Sequence, residues 1–165
     1  AIATFERSVV SKNSPYDKYW AGHKGAMSSS SVNGMNLFFG KAKCSICHNG
    51  PVFTDSNFHN IGVKPAGPLK VDLGRYNQSK DDFDKRAFKT PGLRDITKSA
   101  PYMHNGTEAT LKDVIEFYDR GGDLKENVSP FITPLGLTLQ EKKDLAEFLK
   151  SLDGEPILIT LPILP

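Results

Sequence analysis

The sequence predicts a mainly α-helical domain with long loops, and three observations predict it. Three segments carry apolar residues at helical spacing behind residues able to cap: Val32, Met35 and Phe39; Leu111, Val114, Ile115 and Tyr118; and Leu145, Phe148, Leu149 and Leu152. No alternation of buried strands and crossover helices surrounds them. The chain also holds 14 Gly and 11 Pro, which commits a good part of it to loop.

At 165 residues the chain is one domain's worth, read as a single domain over 1–165. Residues 1–25 are expected to form an N-terminal helix and connection, because Ile2, Phe5 and Val9 make an apolar stripe that needs a surface to pack on. Residues 26–154 are expected to form the core. There the serines at 28–31 can cap a helix that ends near Gly40. Residues 63–86 read as a long loop of Pro, Gly and mixed charge. The helix of GTEATLKDVIEFYDRGG starts at its threonines and stops at Gly121-Gly122. Thr138 with Glu141 forms a capping box for a last helix closed by Gly154, expected to pack near the N-terminal one. The tail, 155–165, is apolar and Pro-rich and is expected to lie across the surface as an extended strap.

Several classes of function are excluded. A net charge of +2 without a Lys/Arg block gives nucleic acid no footprint. No apolar run approaches membrane-spanning length. There is no Ser/His/Asp constellation and no phosphate-binding glycine loop. Asp81, Asp82 and Asp84 are spaced somewhat like a calcium loop, without its Gly and terminal Glu. The N-terminus lacks the layout of a signal peptide, so any targeting segment has been removed or never existed.

The chemistry concentrates in KCSICHNG, which holds both cysteines, Cys44 and Cys47, with His48 directly behind. A redox pair of this spacing normally opens a helix in a βαβ context, which is missing here. Zinc needs four ligands, and this cluster leaves the fourth unassigned. Covalent haem accounts for all three residues together: two thioether bonds to the porphyrin, and an imidazole for the iron. One covalently bound haem c is therefore expected. Such attachment takes place outside the cytoplasmic membrane, which implies a periplasmic, exported protein.

The iron's other axial position separates electron transfer from substrate chemistry. His59 reads best as a loop histidine hydrogen-bonded to backbone. Met103, in APYMHNG, is the type of ligand found in simple cytochromes c, or else a loop methionine filling space. Tyr118 falls on the buried side of its helix, and spacing alone makes it a core tyrosine with a hydrogen-bonded hydroxyl.

The stretch DLGRYNQSKDDFDKRAFKTPGLRDITKSAPYMHNGTEATLKDVIEFYDRGG, with CSICH and FHNIG, resembles the bacterial dihaem cytochrome c peroxidase and MauG family. The likeness is to its C-terminal haem domain and covers nearly the whole chain. It implies a cytochrome c-like helical fold and an electron-transferring haem. The other axial ligand in that family is a methionine in the peroxidases and a tyrosine in the MauG branch; the matching position here is Tyr118. The resemblance thus favours Tyr118 as sixth ligand, with Met103 as the alternative. Phenolate oxygen stabilises ferric over ferrous iron, so His48/Tyr118 ligation implies a low reduction potential. The resemblance also suggests a calcium ion held partly by the carbonyls of Ser99 and Pro101. Arg94 and Lys89 are candidates for the haem propionates, and His104 for bracing its loop or the haem pocket.

Members of the family carry two C-x-x-C-H motifs, and this chain carries one. The domain with the peroxide-reactive haem has no counterpart in it. The expected role is an electron relay to or from a second haem domain or subunit of the same enzyme. The alternatives are a free-standing monohaem carrier serving a small redox protein, and a single open haem that reacts with peroxide itself.

Overall fold

Serine and threonine hydroxyls start four of the helices. The computed structural model describes residues 2–6, 9–68 and 70–156. After α1 (Ile2–Glu6), Ser14 caps α2 (Pro15–Trp20), with Asp17 completing a capping box and Pro15 set in the first turn. Ser28 caps α3 (Ser29–Phe39), which ends at Gly40. A short α4 (Tyr76–Ser79) interrupts the long loop. Thr110 and Asp113 box the start of α5 (Leu111–Asp119), and Thr138 and Glu141 that of α6 (Leu139–Lys150). Two two-residue strands, β1 (Phe58–His59) and β2 (Phe88–Lys89), pair antiparallel with Phe58 opposite Lys89. The result is mainly helical with few strands, as the sequence predicts.

The centre of the fold is the crossing of α3 and α6. Gly34 permits it: a Cβ there would stand 1.9 Å from the Asp144 carbonyl oxygen. Ser30 Oγ donates to the Asp144 carboxylate, which also accepts from Gln140 Nε2 at 2.9 Å, and Ser31 Oγ donates to Glu147 O at 3.2 Å. Phe38 and Phe148, both fully buried, meet with ring centroids 5.0 Å apart. Burying each ring contributes about 1.5–3 kcal/mol. The buried face of α3 is Ser31, Gly34, Met35 and Phe38, whereas Phe39 is half exposed. The apolar stripe read from the sequence is thus turned by about one residue, because small residues face the crossing.

The N-terminal region also differs from the expectation. Among its described residues are two short helices, and Ile2 and Phe5 are exposed. α6 packs chiefly on α3; α2 reaches its end through Tyr16, whose N–H donates to Ser151 O at 3.0 Å and whose ring lies 5.9 Å from Phe148. Lys142 joins α6 to α5 through ion pairs of 2.7 Å with both Glu116 and Asp119. The strap expected of the C-terminal tail lies, from residue 157 on, outside the described residues.

Candidate functional site

Beyond Gly40 the chain makes a tight turn. Lys43 takes a left-handed conformation (φ 57°), a 3₁₀ turn follows at Cys44–Ile46, and His48 N–H donates to Cys44 O at 2.9 Å. This turn places Cys44, Cys47 and His48 on the wall of a cavity of about 370 Å³. Phe38 of α3, Leu93, Ile115 of α5, and Leu145 and Leu149 of α6 make much of the remaining wall apolar. Met103, His104, Tyr118, His59 and Lys89 line the same cavity.

His48 Nδ1 lies 2.9 Å from the carbonyl oxygen of Phe53. A carbonyl only accepts, so Nδ1 carries the proton and Nε2 keeps its lone pair for a metal. Burial lowers the imidazole's pKa against the raising effects of that carbonyl, the Asp55 charge and the Pro91 carbonyl, and the net lowering favours the neutral ring a metal requires. The thiols are shifted the other way. Burial pushes Cys44 up to about 12, and burial followed by the Asp55 charge raises Cys47. Reactive redox pairs depend on a lowered thiol pKa, so this environment speaks against a dithiol catalyst. Cys47, Asp55 and His59 place ligand atoms within 4.8 Å of one another, but Cys44 stands outside that group. Among the described residues, no such group contains both cysteines.

Tyr118 keeps a little accessible surface because it faces the cavity, although protein surrounds it. Burial, then the nearby Cys44 and Cys47, pushes its phenol pKa well above the ordinary value. Met103 sits in the loop beyond the cis Ala100–Pro101 peptide with φ 68° and is half-buried on the same wall. Both sixth-ligand candidates thus meet the cavity that the cysteines meet.

The other sequence candidates fall in different places. Lys89 is on the wall, its Nζ 3.4 Å from Thr90 O. Arg94 is not on the wall. Its guanidinium makes two 2.8 Å bonds to the Asp17 carboxylate, and its Nε donates to Pro51 O at 2.8 Å. Ser99 and Pro101 are exposed on the turn around the cis peptide. His104 braces its loop: Nε2 meets Asp72 at 3.0 Å and the ring stacks on Phe88 at 3.5 Å.

The sequence reading missed the acid beside His59, whose Nε2 lies 2.7 Å from Asp55. Burial opposes ionisation of Asp55, but bonds from His59, the Asn57 N–H and Thr90 outweigh it and hold the carboxyl at about 2. The pair is four residues apart, Asp55 in the loop before β1 and His59 in that two-residue strand, where no periodic pattern marks it.

The donor set fits a covalently attached haem: two thiols and an imidazole with Nε2 available, and a phenol and a thioether on the same cavity, among apolar walls suited to a porphyrin face. Fold and site together define the class, a helical domain of the c-type cytochrome kind. No family profile matches the chain. It is 39% identical to the methylamine utilization protein MauG of Methylorubrum extorquens, over all of this chain and 46% of that protein. It is 37% identical to the cytochrome-c peroxidase IdrP2 of Denitromonas iodatirespirans, over 99% of this chain and 50% of that one. A crystal structure of a MauG-like protein associated with microbial copper homeostasis superposes with a TM-score of 0.85 at 33% identity, over 93% of this chain and 52% of the other. The chain belongs to the dihaem cytochrome c peroxidase/MauG family and spans about half the length of the curated relatives it matches, one haem domain. This is a haem c family whose proteins are generally periplasmic. Among the described residues, no helix is long and apolar enough to cross a membrane.

Proposed function

We propose that this chain is the electron-transferring haem domain of a dihaem peroxidase or MauG-type oxidoreductase, exported to the periplasm and working beside a second haem domain or subunit. One observation carries the reading: Cys44, Cys47, His48 and Tyr118 share a single apolar cavity. When bound, haem c supplies a one-electron iron couple. Cys44 and Cys47 would hold it through thioether bonds. His48 offers Nε2, held in direction by the bond from Nδ1 to Phe53 O. Tyr118 would be the preferred further donor to its iron and Met103 the alternative. Burial alone keeps the Tyr118 phenol protonated, so ligation requires a cation's charge to displace that proton. Phe38, Leu93, Leu145 and Leu149 would exclude water from a group held in this cavity. Lys89 would offer an ammonium to a propionate, and the carbonyls of the exposed residues Ser99 and Pro101 would offer part of a calcium shell that another domain would complete.

The second reading, a free-standing monohaem carrier, is favoured by the fact that every axial and covalent donor comes from this chain. The test is the optical and EPR spectrum of the ferric, haem-loaded protein. A low-spin signal without the near-infrared sulfur-to-iron band supports His48/Tyr118 ligation. The same signal with that band assigns Met103. A high-spin signal means an open iron and overturns the relay. A monomer that is redox-reversible, inactive with peroxide and without affinity for a second haem protein favours the carrier.

A further inference from the structure

We infer that Arg94 and Asp17 are positioning residues for His48, clamping the loop whose Phe53 carbonyl accepts the His48 Nδ1 proton. The inference rests on the reading that His48 faces the haem iron.

Every link is a short contact. Phe53 O accepts from His48 at 2.9 Å, and Phe53 holds φ 56°, a left-handed conformation that a bulky residue keeps only when its surroundings impose it. The surroundings are the segment 90–94, which runs alongside 51–54. Thr54 Oγ1 donates to Thr90 O at 2.7 Å, Leu93 N–H donates to Val52 O at 3.3 Å, and Arg94 Nε donates to Pro51 O at 2.8 Å. The guanidinium also lies 5.7 Å from the centre of the Phe53 ring.

Arg94 is itself anchored. Nη1 and Nη2 each donate to one oxygen of Asp17 at 2.8 Å, a bidentate pair. Asp17 is held in turn by the Ser14 N–H and hydroxyl, at 3.1 and 2.9 Å, and Ser14 is fully buried. One guanidinium thus ties α2 to the loop that follows the C-x-x-C-H motif, with Arg94 only 16% exposed. A lysine has no fork with which to grip Asp17 and Pro51 together. The bond from Nδ1–H to a carbonyl orients the imidazole and increases its basicity at Nε2, so the firmness of the clamp is transmitted to the iron ligand.

The test compares haem-loaded wild type with R94Q, R94K, D17N and, as a stability control away from the clamp, T138A. Two quantities are read: the reduction potential, and the exchange of the His48 Nδ1 proton with solvent by NMR. R94Q and D17N are expected to move the potential in the positive direction and to speed exchange by at least about tenfold. R94K should fall between them and wild type. T138A should lower the melting temperature and leave both readings in place. If R94Q does not fold, D17N keeps Arg94 and still releases its anchor. Variants that lose stability with unchanged potential and exchange overturn the clamp and leave the functional reading standing. A wild-type chain that takes up no covalent haem overturns both.

Discussion

Gly34→Ala places two effects of opposite sign against each other at the α3–α6 crossing. Helix propensity alone favours alanine by about 1 kcal/mol. The new methyl, however, would lie 1.9 Å from the Asp144 carbonyl oxygen and 2.8 Å from the Phe148 Cβ. A carbon-to-oxygen contact needs roughly 3.3 Å. The obstructing oxygen belongs to helix backbone, so a rotamer change cannot relieve the clash and the two helices must separate by about an ångström. That loosens Phe38 against Phe148 and weakens the bonds from Ser30 and Ser31 to α6. Overpacking of this kind costs about 1–3 kcal/mol, and backbone displacement puts it at the upper end. With the propensity gain set against it, the net loss is about 2 kcal/mol, or roughly 4–8 °C in melting temperature for a chain of this size. Denaturant and thermal unfolding of the haem-loaded protein, followed by far-ultraviolet circular dichroism, read the difference. An alanine variant as stable as wild type, or more stable, would refute the argument that close backbone approach dictates glycine there.

Three more outcomes are expected. Tyr118→Phe in the haem-loaded protein should turn a low-spin ferric spectrum high-spin and raise the potential, whereas Met103→Leu should leave both unchanged; the reverse pattern transfers the ligand role to Met103. Asp55→Asn should lower stability at neutral pH. The depressed carboxyl stabilises the fold fully above the unfolded value of 3.8, and this contribution fades as pH falls toward about 2, so the gap between variant and wild type should close over that window in acid unfolding curves. Thr138→Ala removes the hydroxyl that accepts from Glu141 N–H at 3.2 Å and should cost about 1 kcal/mol in denaturant unfolding without altering the haem spectrum.

What could be read beforehand was local chemistry. The caps at Ser28, Thr110 and Thr138 need only a hydroxyl and the backbone within the next turn, so a few letters of sequence specify them. Cys44, Cys47 and His48 are likewise written within five positions. The buried face of α3 was not legible, since Ser31 and Gly34 carry no hydropathy signal and owe their burial to a helix more than a hundred residues away. Arg94 looked like a propionate ligand for the same reason, because its carboxylate partner lies 77 residues upstream. Spacing placed Tyr118 on the buried side of its helix, but it cannot tell a packed side chain from one that faces a cavity. The helical turn α4 went unseen because YNQS offers no apolar period.

The meeting of Gly34 with Asp144 closes a loop of more than a hundred residues, and most of the cavity's wall hangs inside it. Closing such a loop depends only logarithmically on its length: each doubling costs about 0.6 kcal/mol. Segments such as 64–86 can therefore lengthen or shorten with little effect on how firmly the two clasping helices hold. Folding speed bears the consequence, because contacts so distant in sequence form slowly. The architecture leaves that segment open to revision by insertion and deletion, while the clasp and the cavity wall keep their shape.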